Sequence, residues 1–397
     1  MERLRARPSS TSRDLKLLWI AIFCLSLGAG ISGACNYNFI SNILKIQPEQ
    51  LGYVEAIRET PGFLCVAVVG LLMAMSEPLL ASLGICVMGI GTAAYSRVTG
   101  VPSLILASWV ASLGLHVWQA LQSSLVLGLA EGGKHGKRMG QTAGVASAGT
   151  ICGSLLVAAC DTLLLKWIGH KIDFPYWFAM SGAWMIVGSV LMLLVRRNIG
   201  HPEKPRFVWK PRYKLYYALT LLEGGRKQVF ITFAIYALTY KFGAVRWVIA
   251  TLVLINQAVN IIAGPIVGRL IDRIGERRII LFCYTSLVFV FIGYAKAPRV
   301  EWLYVLYTLD NLLYQSATCL STYLQKIADP EDLMPTLSMG VSVNHAAAVL
   351  VPLIGGYLWS RFAYPVTFYG GAVIVGTSAI LATKMPVHKR IVTQEAQ

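Results

Sequence analysis

Residues 214–241 read KLYYALTLLEGGRKQVFITFAIYALTYK, and the nature of this stretch decides the fold. It is long and apolar enough to cross a bilayer as a helix, yet Glu223, Arg226 and Lys227 sit near its middle. At the helical rise, Glu223 lies roughly 13 Å from Lys214 and Arg226 roughly 18 Å, close to the centre of a ~30 Å hydrocarbon slab. A charge at that depth costs at least ~2.5–3.5 kcal/mol, so it must face protein or water, not lipid. The stretch therefore reads as one wall of a polar path through a membrane.

The rest of the chain agrees. Of 397 residues, 56% are hydrophobic and only 14% charged, and the mean hydropathy is +0.60. Apolar runs of about twenty residues recur from end to end, the mark of an all-α membrane protein. Twelve spans are expected, at 16–39, 49–75, 78–96, 102–128, 140–163, 175–195, 214–239, 247–268, 279–295, 301–326, 334–358 and 365–383. The net charge of +16 comes from basic residues scattered through short connections, not from a patch or stripe, which argues against nucleic acid. Lys and Arg concentrate in the connections on the side of the two termini, which places both termini in the cytoplasm, and a bacterial inner (plasma) membrane is expected. Arg3, Arg5, Arg7 and Arg13 precede an apolar run too long for a signal peptide, so the first span is expected to remain as an uncleaved helix. The eight cysteines fall inside apolar runs without CxxC or Cys/His spacing, so neither disulfides, a metal nor a cofactor is expected.

The basic, Pro-rich connection 196–213 divides the spans six and six, giving an N-terminal bundle at 1–195 and a C-terminal bundle at 214–397. The halves also echo each other at an offset near 198 residues: Val69-Gly70-Leu71-Leu72 aligns with Val267-Gly268-Arg269-Leu270, each at the end of a second span. Such weak symmetry is the trace of duplicated six-helix units.

Between the eighth and ninth spans the chain reads Gly268-Arg269-Leu270-Ile271-Asp272-Arg273-Ile274-Gly275-Glu276-Arg277-Arg278. This resembles the cytoplasmic loop motif G-x-x-x-D-R-x-G-x-R-R of the major facilitator superfamily. Gly268 would permit close helix contact, Asp272 would cap or pair at helix ends, and Gly275 would turn the chain. Arg273, Arg277 and Arg278 would pin the loop to the cytoplasmic side and exchange ion pairs as the bundles move. The equivalent loop after the second span, Leu72-Met73-Ala74-Met75-Ser76-Glu77-Pro78, lacks the pattern, so the N-terminal half must be latched differently. The resemblance implies two pseudo-symmetric six-helix bundles, rocker-switch alternating access, and a central cavity lined by the first, fourth, seventh and tenth spans.

Those spans carry Asn36, Tyr37 and Asn38; His116, Gln119, Gln122 and Ser123; Glu223, Arg226, Lys227 and Gln228; and Asp310, Asn311 and Gln315. The interiors of the third, sixth, ninth and twelfth carry no charge. His116, Gln119 and Ser123 share a helical face and could point into one cavity or form an interhelical seam. Glu223 and Lys227 at i, i+4 could neutralise each other, leaving Arg226 to Asp310 or to a substrate anion. In the second span Glu55 and Glu59 bracket Arg58, a self-satisfied triad suited to a gate.

With no ATP-binding loop or nucleophile–base pair, the chain reads as a secondary transporter and not an enzyme. Its expected partners are a small organic solute, anionic or zwitterionic, a coupling ion such as the proton, and the lipid bilayer; a monomer is expected. The rival readings are a proton-driven exporter of lipophilic drugs walled by Trp118, Tyr236, Tyr240 and Tyr314, and a non-transporting receptor or assembly subunit.

Overall fold

A computed structural model of the chain describes residues 8–71, 75–129, 135–167, 169–195, 208–314 and 317–386. The helices are α1 (Pro8–Asn38), α2 (Pro48–Leu71), α3 (Glu77–Ala94), α4 (Val101–Gly128), α5 (His135–Trp167), α6 (Phe174–Leu193), α7 (Lys214–Gln228), α8 (Arg246–Ile274), α9 (Glu276–Lys296), α10 (Val300–Leu313), α11 (Ala317–Ile327), α12 (Pro330–Phe362) and α13 (Tyr364–Ala382). Each expected span finds a helix, with ends that agree to about five residues except at the start of α1, eight residues earlier than expected, and the end of α8, six residues later. The span at 301–326 is described as two helices, α10 and α11, and α7 continues through two π-wound turns, Val229–Ala234 and Ala237–Lys241. Among the described residues, nine helices are long and apolar enough to cross a membrane. α2 and α7, which carry the charge clusters, are not among them.

The two six-helix bundles are held by small residues and serines, as expected where apolar association gains nothing over lipid. Of the glycines in α5, Gly149 and Gly153 lie against the α1 backbone at Phe23 and Leu27, while Gly140 and Gly144 face open space. Ser181 of α6 donates to the Gly28 carbonyl at 2.6 Å, and Ser82 of α3 and Ser189 of α6 each donate to the other's carbonyl, at 2.9 and 2.8 Å. The outward faces of α3, α6, α9 and α13 expose Ile90, Val190, Phe289 and Val373, an apolar belt fit for lipid.

Bonds between the bundles are unevenly placed. Call the end where α1 starts the near end and the opposite one the far end. At the far end Asn38 donates to the Ala244 carbonyl at 2.7 Å and Tyr37 to that of Ile231 at 2.9 Å. Tyr236 donates to the Ile46 carbonyl at 2.5 Å and Tyr240 to Gln47 at 2.7 Å. Arg246, opening α8, holds Asp161 of α5 through a 2.6 Å Nε bond and a second contact from Nη2, and also donates to the Ile172 carbonyl at 3.0 Å. Among the described residues no hydrogen bond or ion pair joins the bundles at the near end. There the segment before α7 instead straps onto the start of α12. Lys210 reaches Asp332 at 2.6 Å, Arg212 reaches Asp329 at 2.6 Å, and Tyr213 donates to Asp332 at 2.8 Å. The hydrogen bond to Asp332 raises Lys210 above the usual lysine range.

The far-end closure rests on two glycines. A side chain at Gly52 of α2 would meet the Pro352 carbonyl oxygen at 2.5 Å, and one at Gly356 of α12 would meet that of Pro48 at the same distance. Neither neighbour is a flexible side chain that could give way. Gly52→Leu is therefore expected to wedge the far end open. Spin labels at Lys45 and Arg361 should report a longer distance distribution than in the parent; an unchanged distribution would show that the closure does not depend on this contact.

Candidate functional site

Two clusters of charge lie at mid-depth, one per bundle, and each is built around an arginine. In α7, helical spacing puts Arg226 one turn beyond Glu223, and the pair meets face to face: Nη2 to Oε1 at 2.6 Å and Nε to Oε2 at 3.2 Å. The remaining arm, Nη1, reaches Oδ1 of Asp310 on α10 at 3.1 Å. Tyr284 of α9 donates to Glu223 at 3.3 Å, and the Tyr314 ring lies 4.8 Å under the guanidinium carbon. Arg226 and Asp310 have no exposed surface at all. Glu223 thus pairs with Arg226 and not with Lys227, a correction to the i, i+4 expectation. Arg226 faces α9 and α10, so its nearest acids lie three residues back and across the bundle, whereas Lys227 lies about a hundred degrees round the helix. A route by which Arg226 itself would hold a solute is not open in this conformation.

Half-buried, Lys227 makes no hydrogen bond or ion pair with any described residue. Its strongest electrostatic neighbours are Glu59 and Arg58 of the other bundle, ahead of Glu223 and Arg226 of its own. Asp310 keeps a second oxygen, Oδ2, buried with no partner among the described residues.

In α2, Arg58 bonds both of its bracketing acids, Glu55 at 2.7 Å and Glu59 at 2.7 Å. The triad is not self-contained. The other oxygen of Glu59 lies 3.1 Å from Nδ1 of His345 on α12, which makes this cluster the one mid-depth bond between the bundles among the described residues. His116 of α4 packs its ring edge-on against His345, with centroids 4.7 Å apart. His345 lies 286 positions from Glu59, and a partner that distant carries no local signal in the sequence.

Other expected site residues have structural partners. Asn311 donates to Asn260 at 2.9 Å and to the Asn256 carbonyl at 3.3 Å, a seam between α10 and α8. Asn38 belongs to the far-end closure, while Asn36 is half-buried with its Oδ1 unbonded among the described residues. On α4, His116 is buried, while Gln119 and Ser123 are exposed. Gln315 lies outside the described residues. Of the aromatic wall, Trp118 is packed in the apolar core of the N-terminal bundle, Tyr236 and Tyr240 stack on each other at 4.8 Å in the far-end closure, and Tyr314 underlies Arg226. These four do not share a surface that a lipophilic solute could meet.

At the near end, α8 runs through Asp272 and Arg273 to Ile274, and Gly275 breaks it with φ at +84°, a conformation that suits glycine. Gly268 departs from expectation: a side chain there would meet open space, so it makes no close helix contact. Arg273 and Arg278 are exposed, Arg277 is partly so, and none forms an ion pair with a described residue. In the pattern-less loop, Glu77 is buried and accepts from Ser124 of α4 at 2.9 Å.

The family model of the Major Facilitator Superfamily matches residues 18–309 and 217–395. Solved structures similar over nearly the whole chain include a mutant form of the nucleoside transporter NupG, at 13% identity and TM-score 0.75, covering 94% of this chain and 99% of that one. A bacterial homolog of the human lysosomal transporter Spinster, inward-facing and occupied, aligns at 13% identity and TM-score 0.72, covering 96% and 98%. A D-xylose–proton symporter aligns at 14% and 0.69, covering 94% and 97%. Among curated proteins, the MFS-type transporter avaJ of Aspergillus versicolor is 30% identical over 129 residues, which are 30% of this chain and 25% of that relative. The chain belongs to the major facilitator superfamily. It is a multi-pass membrane transporter, with the fold that the loop motif implied.

Removing one member of a buried ion cluster leaves the others uncompensated, at about 3–5 kcal/mol. Arg226→Ala is accordingly expected to destabilise the folded protein on that scale in denaturant unfolding. The triple change Glu223→Gln, Arg226→Met, Asp310→Asn, which leaves no bare charge, should cost far less. Equal losses in the two variants would mean that charge pairing is not what holds α7 to α10.

Proposed function

We propose that the protein moves a small anionic or zwitterionic organic solute by rocker-switch alternating access, coupled to protons. The observation that carries the reading is Lys227, a half-buried ammonium at mid-depth that forms no direct ion pair or hydrogen bond with a described residue, on the face of α7 that looks toward Glu59 and Arg58 of the other bundle. An unpaired cation in the middle of a membrane is costly and is kept where it meets water or a ligand. A carboxylate or phosphate between Lys227 and Arg58 would satisfy it, and the adjacent Glu59 would receive the ammonium of a zwitterion. With both termini in the cytoplasm, the far-end closure faces outside and the conformation is open inward.

Asp310 is suited to carry the proton. Its Oδ2 is buried without a described partner while Oδ1 holds Arg226, so protonation weakens one arm of the buried cluster and loosens α10 from α7. Glu223, held by two arms of Arg226 and by Tyr284, stays fixed. The gate on the outer side is then the Glu55–Arg58–Glu59 triad with its link to His345, and the loop from Gly268 to Arg278 acts on the inner side as the family motif implies. The protein works as a monomer in a bacterial plasma membrane.

The test uses proteoliposomes and a panel of anionic, zwitterionic and cationic solutes, with and without a pH gradient. Lys227→Gln should cut anion flux about tenfold or more, as loss of a charge-assisted contact predicts, without lowering the unfolding midpoint. Asp310→Asn should keep solute exchange but lose proton-driven accumulation. Cation flux that survives Lys227→Gln would overturn the anion reading and favour drug export; pH-gradient-driven uptake that persists in Asp310→Asn would remove Asp310 from the coupling path.

A further inference from the structure

The geometry points to a transition-metal site between the bundles, formed by Glu59 of α2, His116 of α4 and His345 of α12. All three residues are buried, and one donor atom from each lies within 4.8 Å of the others. Oε2 of Glu59 and Nδ1 of His345 are already 3.1 Å apart, close to the donor spacing of a tetrahedral ion with bonds of about 2.0–2.1 Å; bringing His116 in takes a shift on the order of 1 Å.

The surroundings orient the donors as ligands. His116 Nδ1 lies 2.8 Å from the Ser112 carbonyl oxygen, which can only accept, so Nδ1 carries the proton and Nε2 carries the lone pair. A ring proton held by a backbone carbonyl is the usual support of a metal-bound histidine. The Ser112 hydroxyl in turn donates to the Arg58 carbonyl, and the Arg58 guanidinium holds Oε1 of Glu59, which leaves Oε2 turned to His345. Gly62 is what lets the two imidazoles close in: a Cβ there would lie 2.5 Å from His116 Nε2 and 2.6 Å from His345 Nδ1, so any side chain would push the rings apart. Residue 62 has no side chain just where the two imidazole nitrogens converge.

Two imidazoles and one carboxylate suit Zn²⁺, Co²⁺ or Ni²⁺ and not Mg²⁺ or Ca²⁺, and three protein ligands leave a position for water. Glu59 and His116 belong to one bundle and His345 to the other. A bound ion would therefore bridge them at the depth where one hydrogen bond now does, and hold the far end closed. The cluster stands by itself here and needs neither the solute nor the proton coupling proposed above.

The experiment takes the full-length protein in detergent, with its cysteines alkylated so that thiols cannot bind metal, and adds Zn²⁺ or Co²⁺ alone. The parent should hold one ion per chain, show the visible d–d bands of low-coordinate Co²⁺, and unfold at a higher temperature with metal. His116→Gln and His345→Gln should weaken binding about 10–100-fold, and Gly62→Ala, whose Cβ would displace both rings, should abolish it; in each variant added metal should no longer raise the unfolding midpoint above that variant's own metal-free value. His170→Gln, at an exposed histidine, should bind as the parent does. Should a variant fail to fold, the Co²⁺ spectrum of the parent still decides. No uptake at millimolar metal, an octahedral hexaaqua-like spectrum, or binding unchanged in Gly62→Ala would overturn the site.

Discussion

A guanidinium without exposed surface in the middle of a bilayer must be neutralised by its own chain, and Arg226 is, by Glu223 on one side and Asp310 on the other. The requirement ties α7 to α10 more firmly than apolar packing could, because lipid competes equally well for apolar faces but not for a charge. The N-terminal bundle uses the same device at Arg58, between Glu55 and Glu59. The two are not equivalent. Arg226 draws on two helices of one bundle and locks that bundle internally. Arg58 draws on a single helix, which leaves the second oxygen of Glu59 available to the other bundle through His345.

That difference decides where the molecule can move. Among the described residues the C-terminal cluster has no bond outside its own bundle, so the rocking motion proposed above would carry it as one piece. The bonds that must break for the far end to open are those of Tyr37, Asn38, Tyr236, Tyr240 and Arg246, together with Glu59–His345. Three of them, from Tyr37, Asn38 and Tyr236, are single hydrogen bonds to backbone carbonyls, each worth about 1 kcal/mol net. Arg246–Asp161 is the exception: a buried pair with two contacts, in which Arg246 also lies 4.6 Å from the Phe174 ring. It is the strongest latch at that end, and sequence reading passed over it because both residues sit at the ends of their spans, where a charge costs little and attracts no notice.

The membrane fold was legible because its cause is local. A twenty-residue apolar run, a basic connection and a glycine that reverses the chain each act over a few residues, and the helices α1 to α13 fall where those signals put them. The site was legible only in composition. Charge at the middle of α7 was visible, and so was Asp310 as one of two partners for Arg226; what was missed is that Glu223 joins the same arginine, because i, i+3 and i, i+4 partners are both in reach. Gly268 and Gly62 fail in opposite directions. The first matches a motif and touches nothing; the second matches none and makes the room for two histidines.

The contrast between two consecutive residues carries the functional argument furthest. Arg226 and Lys227 have the same formal charge at the same depth, and a sequence gives no reason to separate them. One helical step turns them toward different surroundings. The first meets two carboxylates of its own bundle and serves structure; the second faces Glu59 and Arg58 of the opposite bundle and forms no ion pair with a described residue. Arginine suits the first position because its planar fork can serve two carboxylates at once, which an ammonium cannot. A lysine at the second position is a flexible point charge, which under the proposed function could follow a solute. The division of labour follows from which face of the helix each residue occupies.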